Sequence, residues 1–303
     1  MTPELIDTTP LCFTGGPANA GDYILSPFVY DGGRQVFVRA VPRLDDEPEQ
    51  KISRVFYGRS ADGINFELDP TPAIAPGPNV VDLGGVEDPT VVEENGTLYV
   101  FYSGWNSSAE RSTLLRAAGP SHGALVKCGV VLPPSESPAK EATFVRSDAG
   151  WIMFYEVERG DASRNASATA PALNGVWTIG DDVLQPRGDC FDAWHLSPVA
   201  FVRAPDGARV LIYNGATRDG RWQIGWCELD ETCSQVLGRP DQPLISASRN
   251  SPEQRELAFG ASASTNGDEL FIYYSIGDSD PACGRLRWRS EGSATKTRAT
   301  TAP

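Results

Sequence analysis

Histidine is nearly missing from this 303-residue chain: there are only His122 and His195, and neither falls into a Ser/His/Asp arrangement. The six cysteines, Cys12, Cys128, Cys190, Cys227, Cys233 and Cys283, lie far apart, with no C-x-x-C pair and no histidine at ligand spacing. That excludes a zinc site and a disulfide framework and leaves buried free thiols as the expectation. Positive charge is also scarce. With 26 Lys+Arg against 40 Asp+Glu the net charge is −14, and the basic residues are scattered singly. Nucleic acid and anionic membrane surfaces are therefore excluded as partners, because both need clustered cations. No apolar run approaches the roughly 18 residues of a membrane span, and no glycine loop has a phosphate-cradling pattern. Glu4 and Asp7 stand where a signal peptide would carry basic residues, so a cytoplasmic location is expected.

What the chain does have is a repeat. Ser26-Pro-Phe-Val-Tyr, a Gly turn and Val36-Phe-Val-Arg39 read as strand, tight turn, strand. The same grammar returns from Asp88 to Tyr102 around Asn95-Gly96, the strongest short hairpin signal. It returns again from Glu141 to Tyr155, from Ser197 to Tyr213 and from Phe259 to Tyr274. With Pro27, Pro89, Ala142, Pro198 and Gly260 taken as equivalent, the spacings are 62, 53, 56 and 62 residues. That is the length of a four-stranded blade with its loops. Further strand signals at Ile52–Tyr57 and Gln223–Leu229 fill the intervals, and helical periodicity is lacking. The expectation is an all-β, five-bladed β-propeller over residues 21–290. Residues 1–20 read as an N-terminal extension and 291–303 as a disordered, Thr/Ala-rich tail.

A propeller brings the start of each innermost strand to its central channel, so chemistry is to be sought at repeat starts. These are Ser26, Glu87-Asp88, Lys140-Glu141, Asp192 to Ser197, and Glu256 to Gly260. Asp88 is a candidate acid, although Asp-Pro is also an ordinary turn dipeptide. Glycoside cleavage needs a carboxylic acid on the leaving oxygen and a second group assisting the nucleophile. For that second group Glu141 and Glu256 are alternatives, and each could equally be a rim charge or an ion-pair partner. Trp105, Trp194, Trp222 and Trp226 are candidates for stacking on sugar faces or for core packing.

These residues resemble glycoside hydrolase family 130, five-bladed propeller enzymes that act on β-mannosides. The resemblance covers about residues 20–285. It is carried by Ser53-Arg-Val-Phe-Tyr-Gly58 followed by Gly85-Val-Glu-Asp-Pro89, and by Ser26-Pro27 to Arg39-Ala40, Leu211-Ile-Tyr-Asn-Gly215 and Tyr273 to Asp278. It implies that Asp88 is the general acid, acting through a sugar hydroxyl in an inverting single displacement. Glu87 is the neighbouring carboxylate that would help Asp88 keep its proton. Arg39, Glu87, Lys140, Trp194, Asn214 and Asp278 are the implied sugar- or anion-pocket residues.

Family members that use phosphate carry other residues where Thr90, Asn214 and Ser26 stand here. The first expectation is therefore an inverting β-mannosidase. A β-mannoside phosphorylase with inorganic phosphate as second partner, and a non-catalytic carbohydrate-binding propeller, are the alternatives. Propellers of families 43 and 32 carry an acidic residue at the Ser26 position. No metal or other cofactor is called for.

Overall fold

The computed structural model describes residues 1–43, 52–136, 138–252 and 254–290. Two strands, β1 (Thr2–Pro10) and β2 (Cys12–Thr14), precede the first blade, which is built from β3 (Tyr23–Tyr30), β4 (Gln35–Val41), β5 (Arg54–Ser60) and β6 (Asn65–Leu68). Blade 2 contains β7 (Gly85–Glu94), β8 (Thr97–Asn106), β9 (Arg111–Gly119) and β10 (Val126–Val130). Blade 3 contains β11 (Ala139–Ser147), β12 (Gly150–Arg159), β13 (Ala162–Ala170) and β14 (Thr178–Leu184). Blade 4 contains β15 (Leu196–Arg203), β16 (Arg209–Ala216), β17 (Trp222–Leu229) and β18 (Val236–Gly238). Blade 5 contains β19 (Ala258–Asn266), β20 (Glu269–Ile276) and β21 (Asp280–Arg289). The five sheets are the expected five-bladed β-propeller.

The expected N-terminal boundary is corrected. Residues 1–20 are not an appendage: β1 is the outer strand of blade 5, antiparallel to β21, and β2 adds in parallel to β6. An edge strand needs only its backbone to pair, and in β1 Pro3 alone is buried, so its side chains carry no alternating apolar signal. The tail 291–303 lies outside the described residues.

The core is divided into five wedges, one between each pair of neighbouring blades. Val38 and Phe66 of blade 1 pack with Tyr273 of blade 5, and Val55 and Tyr57 with Val100 and Tyr102 of blade 2. Phe101 meets Met153 and Tyr155, Phe154 meets Leu211, and Ile212 meets Leu270 and Ile272. Each blade is covered on both faces, which is why its middle strands read as unbroken apolar runs such as Met153-Phe154-Tyr155, all fully buried. Burying one such side chain contributes about 1.5–3 kcal/mol.

At the axis the wedges give way to a ring of polar contacts that links every blade to the next. Ser26 Oγ donates to Asp88 Oδ1 (2.5 Å), and Thr90 Oγ1 to the Ala142 carbonyl (2.7 Å). Ser197 donates to Glu141, joining blades 3 and 4. The Asn214 amide donates to the Gly260 carbonyl (2.9 Å) and accepts from the Gly260 N–H (2.7 Å). Ser262 closes the circle by donating to the Pro27 carbonyl (3.0 Å) and accepting from the Val29 N–H (3.0 Å).

Candidate active site

Each innermost strand has a break in register near its start: between Leu25 and Phe28, Glu87 and Thr90, Lys140 and Ala142, Pro198 and Ala200, and Gly260 and Ser262. A bulge of this kind re-aims side chains, here toward the axis. In blades 1 to 3 the residue at the break adopts a left-handed backbone: Ser26 (φ 48°), Asp88 (φ 46°) and Glu141 (φ 43°). For a non-glycine residue that conformation costs on the order of 1 kcal/mol and concentrates at functional sites. The three residues line one axial pocket together with Pro89, Thr90, Pro198 and Phe259.

Around Asp88 and Glu141 lie further charged side chains. Arg39 Nη2 binds Glu87 Oε1 at 2.6 Å, and its Nη1 stands 3.8 Å from Asp88 Oδ1. Ser53 Oγ donates to the same Glu87 oxygen at 3.2 Å. Lys140 Nζ is 3.5 Å from Glu156 Oε1, and Glu156 is buried on β12 directly opposite Lys140 in register. Four carboxyl groups thus share two cations.

Burial raises the pKa of Glu87, against the opposing pull of Arg39 and with the aid of Asp88. Burial raises Glu141 well above the ordinary carboxylate range, reinforced by Glu156 and Asp88. Glu156 is also raised by burial, with Lys140 opposing. The negative surroundings, Glu156 foremost, push Lys140 upward. Burial alone would lower Arg39, but Glu87, Asp88, Asp278 and Glu141 together raise it. Both cations are therefore fixed, and Glu87, Glu141 and Glu156 are the groups that burial favours in the protonated form. Arg39 Nε and Glu156 Oε2 are buried polar atoms with no hydrogen-bond partner among the described residues.

The structure thus brings together Arg39, Glu87, Asp88, Lys140 and Glu141. It places four sequence candidates elsewhere. Asn214 is fully buried, with both ends of its amide taken by Gly260, so it braces blades 4 and 5. Glu256 is exposed, before β19 and outside the axial pocket lining. Asp278 is exposed in the β20–β21 turn and reaches the cluster only through its field on Arg39. Trp194 is half-buried just before β15, its indole N–H donating to the Asp161 carbonyl at 2.5 Å.

Glu156 is the site residue that sequence reasoning missed. Its signal was a lone carboxylate after the apolar run Trp151 to Tyr155, opposite Lys140 once the hairpin is put in register. All six cysteines are free, three of them buried (Cys227, Cys233, Cys283), whereas Cys12 and Cys128 are exposed. Among the described residues no group of side chains could hold a metal ion, and no helix is long and apolar enough to cross a membrane.

Fold and site together define a five-bladed propeller with a cluster of acids gathered at its axis. Residues 18–128 match the model of glycoside hydrolase family 130, described as beta-1,4-mannooligosaccharide phosphorylase. A 1,2-beta-oligomannan phosphorylase from Thermoanaerobacter sp. (strain X514) is 23% identical over 273 residues, covering 82% of this chain and 84% of that protein. Among solved structures, the beta-1,2-mannobiose phosphorylase from Listeria innocua superposes with a TM-score of 0.74 at 18% identity, covering 92% of this chain and 90% of that one. A second, from work describing family 130 glycoside hydrolases that target beta-1,2 mannosidic linkages in Candida mannan, gives 0.74 at 19% identity, covering 87% and 84%. The family match and the axial carboxyl cluster make the chain a glycoside-processing enzyme.

Proposed function

We propose that this protein cleaves a β-mannosidic bond by single displacement with inversion, and that inorganic phosphate is the acceptor. The observation that carries the reading is Asp88. It is turned into the axial pocket by its left-handed backbone, held by the Ser26 hydroxyl and backed by Arg39 at 3.8 Å. An acid so fixed can deliver a proton toward the departing oxygen, directly or through a sugar hydroxyl, while the nucleophile attacks the anomeric carbon from the opposite face.

Phosphate as nucleophile is favoured by the relatives' activities and by the two flanking cations, Arg39 and Lys140. A dianion would be repelled by four ionised carboxylates, but burial leaves Glu87, Glu141 and Glu156 reluctant to ionise. In the same way a protonated Glu141 on the pocket wall can donate a hydrogen bond to a phosphate or sugar oxygen. The partnerless Arg39 Nε and Glu156 Oε2 mark where such a polar ligand would complete the site.

Hydrolysis is the second reading, and it rests on one specific feature: Arg39 is already paired with Glu87, and Lys140 with Glu156. Water needs no free cation. Incubation with β-1,2- and β-1,4-linked mannobiose, with and without phosphate, separates the two. Phosphate-dependent mannose 1-phosphate supports phosphorolysis, and free mannose in phosphate-free buffer establishes hydrolysis instead. No product from either linkage overturns the mannoside reading.

A further inference from the structure

Among the described residues, blades 2, 3 and 4 carry the same buried knot at the same register, and blades 1 and 5 do not. A tyrosine on the second strand stands across from the break in the innermost strand: Tyr102 faces the Asp88-Pro89 bulge, Tyr155 pairs with Ala142, and Tyr213 pairs with Pro198. Each hydroxyl donates to a carboxylate just upstream of the innermost strand: Tyr102 to Asp82 Oδ2 (3.3 Å), Tyr155 to Glu136 Oε2 (2.8 Å) and Tyr213 to Asp192 Oδ2 (2.7 Å). A cation closes every knot, with Lys127 on Asp82 at 2.5 Å, Arg159 on Glu136 at 2.6 Å and Arg239 on Asp192 at 2.6 Å. In blade 1 Val38 holds the tyrosine's place, and in blade 5 Tyr274 shares a hydrogen bond with Thr8 of β1 instead.

The sequence is shaped for these knots. Where the carboxylate is the short Asp, the strand residue two beyond the tyrosine is glycine: a Cβ at Gly104 would stand 2.8 Å from Asp82 Cβ, and one at Gly215 would stand 2.6 Å from Asp192 Cβ. Where the carboxylate is Glu136, one methylene longer, that residue is Val157. The close approach fixes the backbone of the upstream segment as well as its side chain.

Of the three, the blade 2 knot feeds Asp88. Asp82 ends a 3-10 turn (Val80–Asp82); its Oδ1 accepts from the Gly77 N–H at 2.9 Å, and Lys127 also donates to the Gly77 carbonyl at 2.6 Å. From this turn the chain passes directly into β7, where the Gly84 N–H bonds the Trp105 carbonyl (2.9 Å) shortly before Asp88. The left-handed backbone of Asp88 persists only where its surroundings over-determine it. Tyr102 constrains it twice: its backbone spans the bulge, and its hydroxyl grips the segment that leads there.

We propose that Asp82, held by Lys127 and Tyr102, is the positioning residue that keeps Asp88 aimed at the leaving oxygen, acting from outside the axial pocket. The inference rests on the reading of Asp88 as proton donor.

The test compares two leaving groups. The sugar released from β-1,2-mannobiose needs a proton to depart, whereas 2,4-dinitrophenyl β-mannoside departs as a stable phenolate and does not. Asp82→Asn should lower kcat on mannobiose by about 10–10²-fold, the cost of a misplaced group, with KM within about twofold and dinitrophenolate release reduced by less than about threefold. Lys127→Gln, on the outer strand β10, should show the same selectivity to a smaller degree, and it decides the outcome if Asp82→Asn does not fold. Tyr213→Phe loosens the blade 4 knot and is the control: the melting temperature should fall with the ratio of the two rates unchanged. Equal losses on both substrates, undiminished mannobiose turnover, or a ratio that shifts as much in Tyr213→Phe each overturn the positioning role. Asp88→Asn separates this from the reading beneath it. A selective loss in Asp88→Asn but not in Asp82→Asn overturns the positioning role alone, whereas no selectivity in Asp88→Asn, or a parent inactive on both substrates, removes donor and positioning role together.

Discussion

The five repeat starts occupy equivalent places around the axis, yet blades 1 to 3 and blades 4 and 5 use them in opposite ways. On one side Ser26, Asp88 and Glu141 have left-handed backbones, and the pocket gathers four carboxyl groups and two cations. On the other side Ser197 and Gly260 are neutral, buried and spent on linking blades, Gly260 through Asn214 of β16. A repeat therefore supplies positions, and the residue placed at each decides between chemistry and closure. Strain and buried charge collect where a bond is to be broken, while the remaining arc holds the ring together.

The largest effect that would break this comparison is on Asp88. Asp88→Asn keeps the Ser26 contact but removes the proton, so turnover should fall by roughly 10²–10⁴-fold with the melting temperature little changed. Retained activity, measured as sugar release in steady state, would move the acid elsewhere in the cluster.

Next comes Asn214, whose removal should act on the opposite property. Asn214→Ala leaves the Gly260 N–H and carbonyl buried without partners, and a loss of about 2–4 kcal/mol in denaturant unfolding is expected, with kcat per folded molecule unaltered. A drop in kcat at unchanged stability would make Asn214 a substrate contact.

Glu141 gives the smallest shift and tests the electrostatics. Its folded pKa lies above the value of 4.5 it has when solvated, so the native state holds a proton that the unfolded chain releases. Stability is thus lost as pH rises from 4.5 toward the folded pKa. Glu141→Gln removes that penalty. The variant should melt above the parent at pH 8 and no higher than it at pH 4, read by thermal scans across pH. A constant offset at all pH values would show that Glu141 is ionised in the fold.

Much of this arrangement is legible in the sequence, for identifiable reasons. Blades announce themselves because each is buried on both faces and turns on Gly or Asn-Gly, so apolar runs and turn residues recur in phase. Asp88 is legible because it precedes a strand and a proline in the same phase. β1 is not, because an edge strand that buries one residue leaves no pattern. Glu156 escapes because its meaning depends on register: only opposite Lys140 does a carboxylate beyond an apolar run become part of a site. Asn214 and Glu256 show the converse, since phase fixes where a residue sits along the blade but not whether its side chain faces a neighbour or the solvent.

The pairing of β1 with β21 also sets an order of events. Thr2 lies against Arg289 and Pro10 against Ala282, so a strand that precedes blade 1 is paired with the last strand of blade 5. During synthesis β1 must wait, unpaired, until all five blades have emerged, and the circle of blades is then latched in one late step. Contacts of such long separation slow folding, but they also mean that no single blade can peel away without opening the seam that joins both ends of the propeller.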